Sequence, residues 1–293
     1  MQSLQDLIDV LTRNRNLHIS ILDLSGILNT PLTEISLRNV IHSKPFCDAA
    51  KSGPKGNKLC LRCKRLANTK ATVYKEAFCG CCFWGLFEAA VPVVIHDTAM
   101  AIVYVGNIII DKAETEKRIN RLCRYPGAEP YALLEAMEKC EYTTDGAEAL
   151  VIAQIVSDYL KLLYEKTPKR SDDLHWLVAQ LKRHIEGAYC SNLSLCDLAC
   201  IYHKNEKYMG RLFKKETGQS FHEYCNYLRL QKAEYMLENT SEKIIDIAFE
   251  CGFNNISYFN RIFHKKHGVS PGEYRVRNNK CKDETYLPLY KKQ

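Results

Sequence analysis

The chain has 293 residues, 46% of them hydrophobic, and a formal net charge of +7. That length suits two domains with separate cores, and no run approaches the roughly 18–20 apolar residues of a membrane span. The start, Met-Gln-Ser-Leu-Gln-Asp, lacks a basic stretch followed by an apolar one, so a cytoplasmic location is expected, with the 14 cysteines as thiols or metal ligands rather than disulfides.

In chain order, residues 3–12 predict an amphipathic helix, and His18–Leu28 a strand running into a turn at Ser25-Gly26. Ser52–Asn57, rich in Gly and Pro, predicts a loop, and Leu59–Phe78 a helix. Ala89–Ile95 and Met100–Ile110 are β-rich runs joined by a hairpin turn at His96-Asp97-Thr98. Helices are expected at 115–123, 131–140 and 146–164. The last is either a core helix packed on its own sheet, or a signal-transmitting or dimer-forming seam. The first domain therefore reads as α+β, a small antiparallel sheet with helices, over 1–165. Residues 166–171 read as a linker, with Asp172 and Asp173 capping the next helix. An all-α domain over 172–277 and a C-terminal tail over 278–293 complete the chain.

Six cysteines fall within 36 residues: Cys47, Cys60, Cys63, Cys79, Cys81 and Cys82. Cys60-x-x-Cys63 has the spacing of a metal-ligand pair. Cys47 and one of Cys79, Cys81 or Cys82 would complete a four-thiolate site for zinc or an iron–sulfur cluster. A redox-sensing dithiol and plain use of Cys as a small apolar residue are the alternatives.

The all-α domain carries a repeated unit. Tyr208, Arg211, Phe213, Gly218, Ser220, Glu223 and Tyr224 recur fifty residues later as Tyr258, Arg261, Phe263, Gly268, Ser270, Glu273 and Tyr274. Each copy reads as two short helices around a tight turn, a Gly stop, and a Ser-capped helix start, the pattern of a helix-turn-helix. A long helix from Tyr224 joins them. The run 204–215 holds Lys204, Lys207, Arg211, Lys214 and Lys215 against Glu206 alone, a stripe suited to phosphate attraction or to a solvated helix face.

With Leu198-Ala199, Arg211-Leu-Phe-Lys214, Gly252-Phe253, Ser257-Tyr-Phe259 and Ser270-Pro271, these spacings make residues 172–277 resemble the DNA-binding domain of the AraC family of transcription regulators. The resemblance implies double-stranded promoter DNA and RNA polymerase as partners, with a homodimer left open, and activation of transcription. It places Lys207, Gly210 and Arg211 at reading positions of the first copy. In the second copy, helical spacing turns Ile256, Ser257, Asn260 and Arg261 to the groove. Tyr208, Met209, Leu212 and Phe213 are expected inward. Arg211 and Arg261 suit base or phosphate contact, or an internal ion pair, while Lys214, Lys215, Lys265 and Lys266 suit phosphates. Two such helices would reach successive major grooves about 34 Å apart.

A second resemblance rests on Phe46-Cys47, Gly56, Cys60-x-x-Cys63, Cys82-x-x-Gly85-Leu86, Pro92-Val93 and Gly106-Asn107. Over residues 5–165 these are similar to the PocR-type sensory domain, a PAS-like module that implies a small-molecule effector such as a diol. The family alignment favours Cys82 as the fourth cysteine. Phe83 stands where the family usually has a His, with Trp84 beside it, and both are candidate ligand-binding residues. The function expected is a ligand-responsive, DNA-binding transcription regulator and not an enzyme. The alternatives are a regulator whose input is a redox or metal signal at Cys47, Cys60, Cys63 and Cys82, and a cysteine-based redox enzyme. No Gly-rich phosphate loop, G-x-S-x-G or H-E-x-x-H motif supports catalysis.

Overall fold

The computed structural model describes residues 2–52, 54–123, 130–166, 175–190 and 193–284. The chain forms two compact units, Met1–Gly187 with Ser194–Leu212, and Ala188–Leu193 with Phe213–Gln293. The expected linker lies almost wholly outside the described residues, as do Asp172 and Asp173.

The first unit is built on an antiparallel sheet in the order β1 (His18–Asp23), β4 (Thr98–Ile109), β3 (Phe87–Ile95), β2 (Phe78–Cys81). A short β5 (Glu141–Tyr142) runs parallel to β4. His96 and Asp97, both at positive φ (47° and 59°), make the tight turn between β3 and β4, a conformation that matches the twist of paired strands. Val91, Val93, Val103 and Val105 share one core with α7 (Ala147–Lys166), which buries Ile152, Ala153, Val156, Leu160 and Leu163. Helix 146–164 is thus a core helix. Its neighbour α1 (Leu4–Leu11) starts at a capping box, Ser3 with Asp6. Tyr104, one residue out of phase with the valines, points instead at α4 (Pro54–Tyr74).

α4 starts earlier than its composition predicts. α2 (Leu37–Val40) and α3 (Pro45–Lys51) precede it, and Pro54 opens it, so most of the expected loop at 52–57 is helix. Pro at a first helical position gives up no hydrogen bond. Gly56 is needed there, because a Cβ would lie 1.8 Å from the Ala50 carbonyl oxygen. α4 also ends sooner, at Tyr74, and Phe78 begins β2. α5 (Lys112–Leu122) and α6 (Pro130–Met137) complete the sensory part.

Two further helices belong to this unit. α8 (His175–Ala188) sets Gln180 Nε2 3.3 Å from the buried Asp23 carboxylate and Arg183 2.9 Å from Glu34. α9 (Leu195–Ile201) begins at a Ser194–Asp197 capping box and packs on α4. The second unit is helical: α11 (Phe221–Asn239), α12 (Ile244–Glu250), α13 (Ile256–His267) and α14 (Pro271–Glu284), joined at its start by the end of α10 (Glu206–Thr217). α14 runs past residue 277 into the stretch expected as a tail.

Burial pushes both His18 and His184 down to about 4. Unfolded, each takes a proton near pH 6.5, so stability is lost as pH falls from 6.5 toward 4, by up to about 1.4 kcal/mol per pH unit for each. Asp23 acts in the opposite sense, since burial raises its pKa and the folded state holds that proton more tightly. Thermal melts are expected to show a lower melting temperature at pH 5 than at pH 7, with His184→Gln flattening the slope. A melting temperature that rises on acidification contradicts this.

Candidate DNA interface and sensory cavity

The second helix-turn-helix is α12, a turn, and α13. Gly252 makes the turn at φ +88°, and a Cβ there would lie 2.5 Å from the Cys190 carbonyl oxygen. Asn255 caps α13 by accepting from the Tyr258 backbone N–H at 3.0 Å. Phe259 and Phe263 are fully buried, whereas Ser257, Asn260, Arg261 and Lys265 are exposed. Ile256, expected in the groove, is half-buried and packs against the core. The Arg261 guanidinium lies 5.3 Å from the centre of the Tyr258 ring, and the Tyr258 hydroxyl accepts from Asn226 Nδ2 at 2.9 Å. Lys266, expected on phosphates, pairs with Glu234 at 2.6 Å and lies over Tyr227, which turns it back onto α11.

In α10, Met209, Leu212 and Phe213 are buried, and Lys207, Arg211, Lys214 and Lys215 are exposed. Tyr208, expected inward, is 39% exposed. It sits at the edge of the apolar stripe, where a phenol keeps its hydroxyl in water. Gly210 is half-buried, and a Cβ there would meet Leu195 at 3.2 Å, so it also brings α10 close to α9. Neither Arg211 nor Arg261 makes an ion pair among the described residues.

The sensory part encloses a cavity of about 50 Å³ lined by Cys47, Cys60, Cys63 and Cys82, by Phe83 and Trp84, and by His42, Lys64 and Glu88. Cys79 and Cys81 lie exposed on β2, away from it. Burial raises the pKa of all four lining cysteines, that of Cys82 to about 12, so they stand as neutral thiols. Among the described residues no group of three or more His, Cys, Asp or Glu is placed to hold a metal ion. The cavity is mostly apolar, with one polar end. There Lys64 Nζ lies 2.9 and 3.1 Å from the Glu88 carboxylate oxygens. The Trp84 Nε1–H and His42 Nδ1 are buried without a hydrogen-bond partner among the described residues. His42, Lys64 and Glu88 were not anticipated. The signal for Lys64 was helical spacing, since Cys60, Lys64 and Ala67 share one face of α4. No described helix is long and apolar enough to cross a membrane.

A cavity beside a sheet and two helix-turn-helix units that present basic helices define the class, a transcription regulator with a separate sensory domain. The sensory domain found in PocR matches residues 1–166, and a helix-turn-helix domain of AraC type matches residues 198–277. The chain belongs to the PocR sensory-domain family of helix-turn-helix regulators. Among its relatives, the regulatory protein PocR of Salmonella typhimurium is 25% identical over 80% of this chain and 83% of its own length. The HTH-type transcriptional regulator YfiF of Bacillus subtilis is 33% identical over 43% of this chain and 40% of its own. The HTH-type transcriptional activator RhaR of Klebsiella pneumoniae is 36% identical over 25% of this chain and 26% of its own. The chain thus matches less than half the length of YfiF and RhaR.

Proposed function

We propose that the chain activates transcription from promoters that it binds through α10 and α13, under control of a small, uncharged, oxygen-bearing effector held in the cavity. The observation that carries the effector reading is the pair of buried, unpartnered polar atoms on the cavity wall, Trp84 Nε1–H and His42 Nδ1. Buried polar groups in native proteins almost always have partners, and a ligand oxygen supplies one. The cavity is small, so a compact molecule suits it. Small diols fit that size and polarity.

On DNA, Arg211, Ser257, Asn260 and Arg261 are assigned to base edges, and Lys207, Lys214, Lys215 and Lys265 to phosphates or neighbouring bases. Activation in turn calls for contact with RNA polymerase; the name of the RhaR relative, an activator, supports that direction.

Thermal-shift titration of the full chain with small diols, polyols and carbonyl compounds tests the effector reading, because a ligand that binds only the native state raises its melting temperature. Trp84→Phe keeps the ring and removes the N–H. It is expected to weaken binding of the responding compound up to about tenfold, the contribution of one hydrogen bond. Unchanged affinity would remove Trp84 from the site.

A further inference from the structure

We propose that Asn68 couples the state of the cavity to the first helix-turn-helix, an inference that rests on reading the cavity as the effector site. α9, the first helix of that motif, has only seven residues. A helix end leaves its last carbonyls without intrahelical partners. The last carbonyl of α9, that of Ile201, accepts at 3.2 Å from Asn68 Nδ2, a side chain of α4 in the sensory part. Asn68 is 1% exposed, and its amide oxygen accepts the hydroxyl of Tyr104, itself 2% exposed.

The same two residues lead back to the cavity. Lys64 lies one helical turn before Asn68 on α4, lines the cavity, and holds its ammonium 3.3 Å above the centre of the Tyr104 ring. Its other partner is Glu88 on the cavity wall. An unbroken line of contacts therefore runs from Glu88 and Lys64 through Tyr104 and Asn68 to the end of α9. An occupant that bonds to Glu88 or moves Lys64 shifts the load on the Tyr104 ring, and the Tyr104 hydroxyl orients the amide that caps α9. α8 docks on the sensory part through Gln180 on Asp23 and Arg183 on Glu34, and its His184 lies 2.9 Å from the Tyr202 hydroxyl at the C-cap of α9, a second hold on the same helix end that does not pass through the cavity wall. Coupling of this kind is reciprocal: whatever repositions α9 alters occupancy of the cavity by the same factor.

Amide hydrogen exchange on the full chain tests the inference. Tyr104→Phe and Asn68→Ala are each expected to speed exchange across 195–212 about fivefold, while amides of β3, β4 and 256–267 stay within about twofold, showing that the fold is intact. Cys82→Leu fills the cavity with a side chain on neither α4 nor α9 and needs no ligand. It is expected to change exchange across 195–212 about fivefold in the otherwise native chain, and not in the Asn68→Ala background. An equal change in both backgrounds, or none at 195–212 in either, overturns the coupling. Ethane-1,2-diol and propane-1,2-diol are added to the native chain in parallel. If neither raises its melting temperature, the diol reading fails while the coupling measured through Cys82→Leu stands.

Discussion

Phe263→Ala is expected to cost about 3–5 kcal/mol of stability in the second unit, the range for emptying a large aromatic from a packed core. Phe263 is fully buried, with ring centres at 5.6 Å from Phe259, 4.5 Å from His267 and 5.3 Å, edge-on, from Tyr274. It therefore ties α13 to α14 and fills the centre of the cluster that also holds Leu230, Ile247 and Phe253. Tilted and edge-on aromatic pairs add about 0.5–1.5 kcal/mol each beyond area burial. Domains of this size hold about 5–15 kcal/mol in all, so the variant is left close to the threshold of folding. Urea unfolding followed by circular dichroism measures the loss, with Phe263→Leu expected to fall between the two. Phe213, at the same position of the first copy and also fully buried, rests on Phe221 and Tyr224 at 6.0 and 5.7 Å. Phe213→Ala should behave alike. A loss under about 1 kcal/mol for Phe263→Ala would mean the cluster is not the seat of this unit's stability.

The aromatic cluster was legible because its members recur at helical spacing twice in one chain. Phe259 and Phe263 had to face inward together, and Phe213 had to match Phe263. Positions at the edge of a stripe were less legible. Tyr208 and Tyr258 occupy equivalent places, yet Tyr258 has Asn226 to bond its hydroxyl and Tyr208 stays exposed. Lys266 looked like a phosphate contact because neither Glu234 nor Tyr227 is its neighbour in sequence. In the sensory part, Cys47, Cys60, Cys63 and Cys82, singled out by their spacing in the sequence, line one cavity together with Phe83 and Trp84. Its polar end stayed hidden. Glu88 lies on a strand 24 residues from Lys64, and only the folded sheet brings the two together. Asn68 was hidden for a related reason. An Asn in a helix rich in Lys and Arg reads as solvated, and its two partners, Tyr104 and Ile201, come from distant parts of the chain.

Arg261→Ala and Lys215→Ala are expected to weaken DNA binding in different ways, and the difference separates base reading from phosphate attraction. Both side chains are exposed on their helices. The Arg261 guanidinium rests over the Tyr258 ring, which restricts its rotamers before DNA arrives, so less entropy is lost when it forks onto a guanine. Losing one bidentate base contact costs about 1–3 kcal/mol, or about 5- to 150-fold, and only on DNA that carries the right base pair. Lys215 follows Lys214 in the last turn of α10 and acts as a point charge. Its loss should weaken every sequence by a similar factor and reduce the slope of log affinity against log salt by about 0.9. The measurement uses DNA selected by the native chain from a random pool, then each base pair of the selected site changed in turn. Arg261→Ala should flatten discrimination at one base pair in one half of the site and leave the salt slope nearly as it was. Equal losses for both variants on every sequence would return Arg261 to the phosphates and leave base reading in α13 to Ser257 and Asn260.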